Sequence, residues 1–212
     1  VTKFLFVESN LAPTAGHFVG ANGLTAIGLT AGVNYDKVDA AGLAALSSFS
    51  GYSAIVVASS FGGMLTDAEI NGLIARSADI ATFINAGGGL AAFAECYPSG
   101  GACVADLVNA STPLFGYLPI TVSSVGTVAP YTVTPYGLTL GLTDAVVSDC
   151  CTHNSFGATG GLNIVDVDQN GVATTLAGIV SINDGGFTPV PEPATLSLLA
   201  GDLYGKTPIW AS

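Results

Sequence analysis

The stretch "LTDAEINGLIARSADIATFINAGGGLAAFAE" (residues 65–95) carries the clearest secondary-structure signal in the chain. It begins on the spacing of a capping box, in which the Thr66 hydroxyl accepts from the Glu69 amide and the Glu69 carboxylate reaches back to the start of the helix. Ile70, Leu73, Ile74, Ile80, Phe83 and Ile84 then recur at helical spacing, and Gly87 supplies a C-cap. One helix is therefore expected over 66–87, with "GGLAAFAE" (88–95) as the strand after it. Upstream, "YSAIVVASS" (52–60) is a continuous apolar run suited to a buried parallel strand. Strand, helix and strand make a right-handed βαβ unit with short loops.

"KFLFVES" (3–9) has the β-branched and aromatic character of a central strand, bounded by Asn10 and Pro13. "AAGLAALSSF" (40–49) is a short helical candidate. The second half differs in texture: "YLPITVSSV", "APYTVTPYG", "LNIVDVD" and "GVATTLAGIVSI" are rich in Thr and Val and interrupted by turn residues, so strands with few helices are expected. There is no internal repeat.

Composition bounds the function classes. Four Lys and Arg stand against 15 Asp and Glu, for a formal net charge of -11, and the mean hydropathy is +0.61. A chain of 212 residues can bury about 70% of its unfolded surface without staples. So little positive charge leaves no footprint for nucleic acid or an anionic membrane surface. Charged residues make up 9%, against about a quarter in an ordinary globular domain. With 28 Gly and many Ala, Ser and Thr, the surface suits an extracellular layer or assembly. The chain opens on a strand with no secretory h-region, as expected of a mature exported protein or of a cytosolic one.

Four cysteines, Cys96, Cys103, Cys150 and Cys151, allow three pairings. Cys96 and Cys103 flank the "YPSGGA" turn, and Cys150 and Cys151 are adjacent. An even count in a secreted-looking chain favours disulfides, with free thiols and a metal site as the alternatives. No C-x2-C spacing is present, and His153 is the only nearby imidazole besides distant His17. No cofactor is expected.

The pattern of strand, "SSFGGMLTDAEI", and a helix ending "FINAGGGLAAFAE" resembles the class I glutamine amidotransferase-like fold. That resemblance implies an α/β three-layer sandwich with a mainly parallel, flavodoxin-like sheet, here carrying a β-rich second half and an extended C-terminal tail. It covers roughly residues 3–184. In that family a strand after the Gly-Gly-Gly run delivers a nucleophilic Cys at an elbow, a downstream His deprotonates it, and backbone amides form an oxyanion hole. The matching positions are Glu95 or Cys96 and His153. The sequence departs from the pattern after Cys96: Tyr97 and Pro98 replace the glycine of a sharp elbow, and Pro98 blocks an immediate helix. An oxidised Cys96 also has no nucleophile, so the Cys96/His153 dyad is the alternative and a structural cysteine the favoured reading.

Other motifs carry less. Asp166, Asp168 and Asn170 match the start of a calcium loop, but its twelfth position is Ala177 in place of a bidentate Glu, and Asn170-Gly171 between β-like runs is a hairpin signal. Ser60 and Ser155 lack a G-x-S-x-G setting. "NAGGGL" follows a helix instead of opening one, which removes it as a phosphate cradle. His17 reads as a solvent-exposed loop residue.

The remaining feature is "PVPEPATLSLL" (189–199). "VPEPAT" resembles the PEP-CTERM sorting signal, which implies export in bacteria. Its alternating prolines enforce an extended spacer. The apolar run beyond them is interrupted by Asp202, short of the roughly 20 apolar residues that cross a bilayer. The segment is expected to dock on protein, presenting Leu198, Leu199, Ile209 and the single tryptophan, Trp210, to a neighbouring subunit. The expected organisation is an α/β domain over 1–187 and a Pro-rich tail over 188–212. The expected function is a secreted, non-catalytic cell-surface or matrix component that self-assembles into a homo-oligomer, filament or layer. The alternative is a secreted cysteine hydrolase or amidase.

Overall fold

The computed structural model describes residues 3–11, 20–58, 64–93, 114–120, 122–123, 127–148, 155–183 and 186–189. Its first half is built on four parallel strands, β1 (Phe4–Val7), β2 (Tyr35–Val38), β3 (Ala54–Val57) and β4 (Gly89–Ala92), in the order β2-β1-β3-β4. Leu5, Phe6 and Val7 are all buried. Neighbouring side chains on a strand point to opposite faces, so both faces of β1 are covered. Ile55 and Val57 of β3 continue the same core.

The strand β2 and the helix α1 (Ala21–Ala26) were not legible in the sequence. The reason for β2 is its place at the sheet edge: only Tyr35 is buried, while Asp36 and Lys37 break the apolar signal. Tyr35 stacks on Phe4, with ring centroids 5.4 Å apart. Lys3 reaches Asp36 at 2.8 Å.

Between β3 and β4 the single expected helix is two, α3 (Asp67–Ala75) and α4 (Ser77–Asn85). Arg76, at φ -109 and ψ 18, breaks the run between them. Its guanidinium explains the position: it donates to the Leu43 carbonyl (3.0 Å) and to Asp79 (3.0 Å), and lies 4.1 Å over the Phe49 ring. The expected capping box is present at Thr66 and Glu69. Gly87 ends α4 at φ +92, a conformation that strains any residue with a Cβ. The helix α2 (Ala40–Ala45) packs on α3, where a Cβ on Gly72 would lie 3.0 Å from Leu43 Cδ2.

Among the described residues of the second half, strands outnumber helices. β5 (Val122–Ser123) pairs with β7 (Ser155–Phe156), and β6 (Thr132–Val133), β8 (Asn163–Val167) and β9 (Ala173–Ala177) form an antiparallel sheet in the order β6-β8-β9. The turn joining β8 to β9 runs through Asn170 and Gly171, the latter at φ +78. Two short helices, α5 (Pro135–Thr139) and α6 (Asp144–Val147), interrupt the strands. Thr134 caps α5 and donates to the Ile164 carbonyl at 2.5 Å, joining that helix to β8. β10 (Val180–Asn183) and β11 (Gly186–Pro189) form a hairpin against α4. Val133, Leu142 and Val165 make a small second core. Among the described residues no helix is long and apolar enough to cross a membrane.

Candidate functional site: the carboxyl edge of the parallel sheet

In a parallel sheet the chain changes direction where successive strands lie on opposite sides of the first, and ligand crevices form outside the carboxyl ends at that point. Here the point lies between β1 and β3. The ladder runs on past the strand ends: Glu8 N donates to the Val38 carbonyl (2.9 Å), Ala58 N to Val7 (3.1 Å) and Ser9 N to Met64 (2.7 Å). Glu8 and Ser9 are thereby fixed at the edge, 4% and 3% exposed.

Three carboxylates gather there. Glu8 Oε1 accepts from the Ala21 amide at 3.0 Å, holding the start of α1. Its Oε2 lies 3.1 Å from Lys37 Nζ without hydrogen-bond geometry, and that ammonium donates to the Ser9 carbonyl at 3.3 Å. A Cβ on Gly20 would sit 1.9 Å from Glu8 Oε1 and 2.6 Å from Met64 Sδ, so a larger residue there would have to displace those side chains. Asp39 caps α2, accepting from the Gly42 amide (2.9 Å) and from the Asn10 side chain. The Gly42 amide is the main reason its carboxyl is held below the ordinary value of 3.8.

Glu69 joins two helices. Its Oε2 accepts from the Thr66 amide (2.9 Å) and hydroxyl (2.5 Å), closing the capping box of α3, while Oε1 accepts from the Ala40 amide (3.0 Å) at the start of α2. Capping two helix starts with one buried carboxylate satisfies donors that would otherwise be unpaired and places negative charge at both positive ends. Chemically, this edge holds backbone in place. Each of the three acids accepts at least one backbone amide.

Of the residues singled out in the sequence, Cys96, Cys103, Cys150, Cys151, His17, His153, Leu198, Leu199, Ile209 and Trp210 lie outside the described residues. Asp166, Asp168 and Asn170 are described. Asp168 Oδ1 accepts from the Asn170 amide (2.8 Å) and the Val172 amide (2.9 Å), and Oδ2 from the Val128 amide (3.1 Å). The Val172 amide contributes most to keeping that carboxyl below 3.8. Asp166 Oδ2 accepts from the Thr174 hydroxyl at 2.6 Å. Its Oδ1 is buried and has no hydrogen-bond partner among the described residues. The aspartates thus staple the hairpin turn to its surroundings, and the described residues contain no group of three or more His, Cys, Asp or Glu side chains able to hold a metal ion.

Sequence reasoning missed Glu8 and Asp39 as members of one edge. The available signals were an acid directly after the apolar run "FLFV" and an Asp directly before "AAGLAA". Comparison of the chain with protein-family models, curated proteins and solved structures finds no match.

Proposed function

We propose that this chain is an exported, non-catalytic α/β protein of a bacterial cell surface or extracellular matrix that assembles with copies of itself through the segment after Pro189. The observation that carries the non-catalytic part is the carboxyl edge, where Glu8, Asp39 and Glu69 serve as acceptors for backbone amides. A general acid or base needs a carboxyl aimed at open space for a substrate. Export is supported by the "VPEPAT" motif and by the low content of charged residues, 9%. Assembly is supported by the apolar Leu198, Leu199, Ile209 and Trp210 beyond the prolines.

The sheet order β2-β1-β3-β4 supports a flavodoxin-like arrangement, whose strand order begins 2-1-3-4, and with it an amidotransferase-like domain. That likeness also favours a second reading. β4 ends at Ala92 on the same edge as Glu8, and Cys96 comes shortly after in the chain, so a cysteine hydrolase would draw on Cys96 and His153. Counting reactive thiols in the denatured, non-reduced protein separates the two. Fully blocked cysteines are the expected result. A free Cys96 whose alkylation abolishes amidase or esterase turnover establishes the enzyme instead.

A further inference from the structure

In an Asn-Gly pair the side-chain amide is open to attack by the next backbone nitrogen, because glycine has no Cβ to shield the approach. The chain carries this pair at Asn22-Gly23, Asn71-Gly72 and Asn170-Gly171, and the fold treats the three differently. In α3, Gly72 is packed on α2 so closely that a Cβ there would lie 3.0 Å from Leu43 Cδ2, and the pair is flanked in the chain by the buried Ile70 and Leu73. In α1, Asn22 Oδ1 accepts from the Gly20 amide (3.2 Å) and the Gly23 amide (2.9 Å), and the Gly23 amide also donates to the Gly20 carbonyl (2.9 Å). An amide whose hydrogen points at the oxygen of a side-chain amide does not present its nitrogen to the carbon of that group. Asn170-Gly171 lies instead at the turn between β8 and β9.

At that turn Gln169, Asn170 and Gly171 are all exposed, and a Cβ on Gly171 would meet nothing within 4 Å. The Gly171 amide donates to the Asp168 carbonyl at 3.0 Å, a surface bond that opens without uncovering the core. Once free, the nitrogen loses its proton to hydroxide and attacks the Asn170 side-chain carbonyl carbon. The new C–N bond closes a succinimide, the bond to the side-chain nitrogen breaks, and ammonia leaves with a proton returned by water. Water then opens the ring at one carbonyl or the other, giving aspartate or isoaspartate. Either product disturbs Asp168, whose carboxylate accepts from the Asn170 side chain and from the Asn170, Val172 and Val128 amides. Deamidation replaces the side-chain donor with a like charge, and isoaspartate also adds a methylene to the main chain of the turn.

We propose that Asn170 is a site of spontaneous deamidation, independently of the assembly reading and of the chemistry at Cys96, and that the reaction loosens the turn held by Asp168. The test is ageing of the full chain in mildly alkaline buffer, beside a guanidinium-unfolded sample, followed by peptide mapping with mass-spectrometric fragmentation that separates isoaspartate from aspartate. In the folded chain Asn170 is expected to convert at least about tenfold faster than Asn71 and Asn22, chiefly to isoaspartate, whereas in the unfolded sample the three should convert within about threefold of one another. The Asn170 rate should rise with pH, as attack by a deprotonated amide requires. Asn170→Gln, whose longer side chain disfavours ring closure, should stay unmodified at the parent melting temperature. In the aged parent the Val128 and Val172 amides should exchange at least about threefold faster than in fresh protein or in aged Asn170→Gln. Asn170 staying intact while the unfolded sample converts, or Asn22 or Asn71 converting as fast as Asn170 in the folded chain, overturns the site. Unchanged exchange at Val128 and Val172 in the aged parent overturns its effect on the turn.

Discussion

Glu69 shows how much one side chain organises. Its carboxylate accepts from Thr66 of its own helix start and from Ala40 at the start of another, and it is 4% exposed. Glu69→Ala leaves these donors without their acceptor and is expected to lower unfolding free energy by about 2 kcal/mol, with Glu69→Gln losing about 1 kcal/mol because the amide oxygen still accepts. Urea denaturation with an unchanged m-value checks both. A second prediction concerns acid. The Asp39 and Asp168 carboxyls sit below 3.8 in the folded chain, chiefly through the Gly42 and Val172 amides. In the unfolded chain they take protons near 3.8, so the unfolded state binds more protons and stability falls as pH drops below that value. The contribution is complete above 3.8 and gone once the pH passes the lower folded values. Thermal melting measured from neutral to strongly acidic pH should show the fall, and Asp168→Asn should be less stable at neutral pH with a shallower acid slope. An unchanged slope contradicts the assigned role of Asp168. The sequence announced Glu69 through its capping box and Asn170-Gly171 through the turn. It did not announce that Glu69 would also cap α2, because Ala40 is brought to it only by packing of α2 on α3.

Among the elements, the long helical stretch was the most legible because its apolar spacing, N-cap and Gly87 stop agree. Its division into α3 and α4 was not, since the break at Arg76 is driven by tertiary contacts with Leu43 and Phe49. β2 was hidden for the opposite reason: an edge strand carries Asp36 and Lys37 where the period-two signal should be. The hairpin β10–β11 illustrates a third case. Asn85, at the end of α4, donates to the Ile182 carbonyl (2.9 Å) and accepts from the Ile182 amide (2.7 Å), so an amide side chain completes the outer edge of β10. Covering a strand edge in this way suppresses pairing with other strands. Asn85→Ala should cost about 1 kcal/mol locally, read as a roughly fivefold faster exchange of the Ile182 amide. Unchanged exchange would mean that the two bonds do not protect the strand.

For the molecule as a whole, the parallel sheet holds the main core and the antiparallel strands a smaller one around Val165. The α/β class was readable because β1 is buried on both faces and β3 fully on one face and partly on the other, so both are continuously apolar. The carboxyl edge was readable only in part: it draws on Glu8, Asp39 and Glu69 from three separate segments, and nothing in linear spacing joins them. β11 ends at Pro189, on the hairpin whose β10 packs on α4. A surface composed for contact with other copies would account for the scarcity of charge, and removal of the contact segment should then release single domains. Light scattering coupled to size exclusion, comparing the full chain with one lacking residues 191–212, tests this most directly. An oligomer is expected for the full chain and a monomer for the shortened one, both folded by thermal melting. Equal assembly size in the two would contradict it.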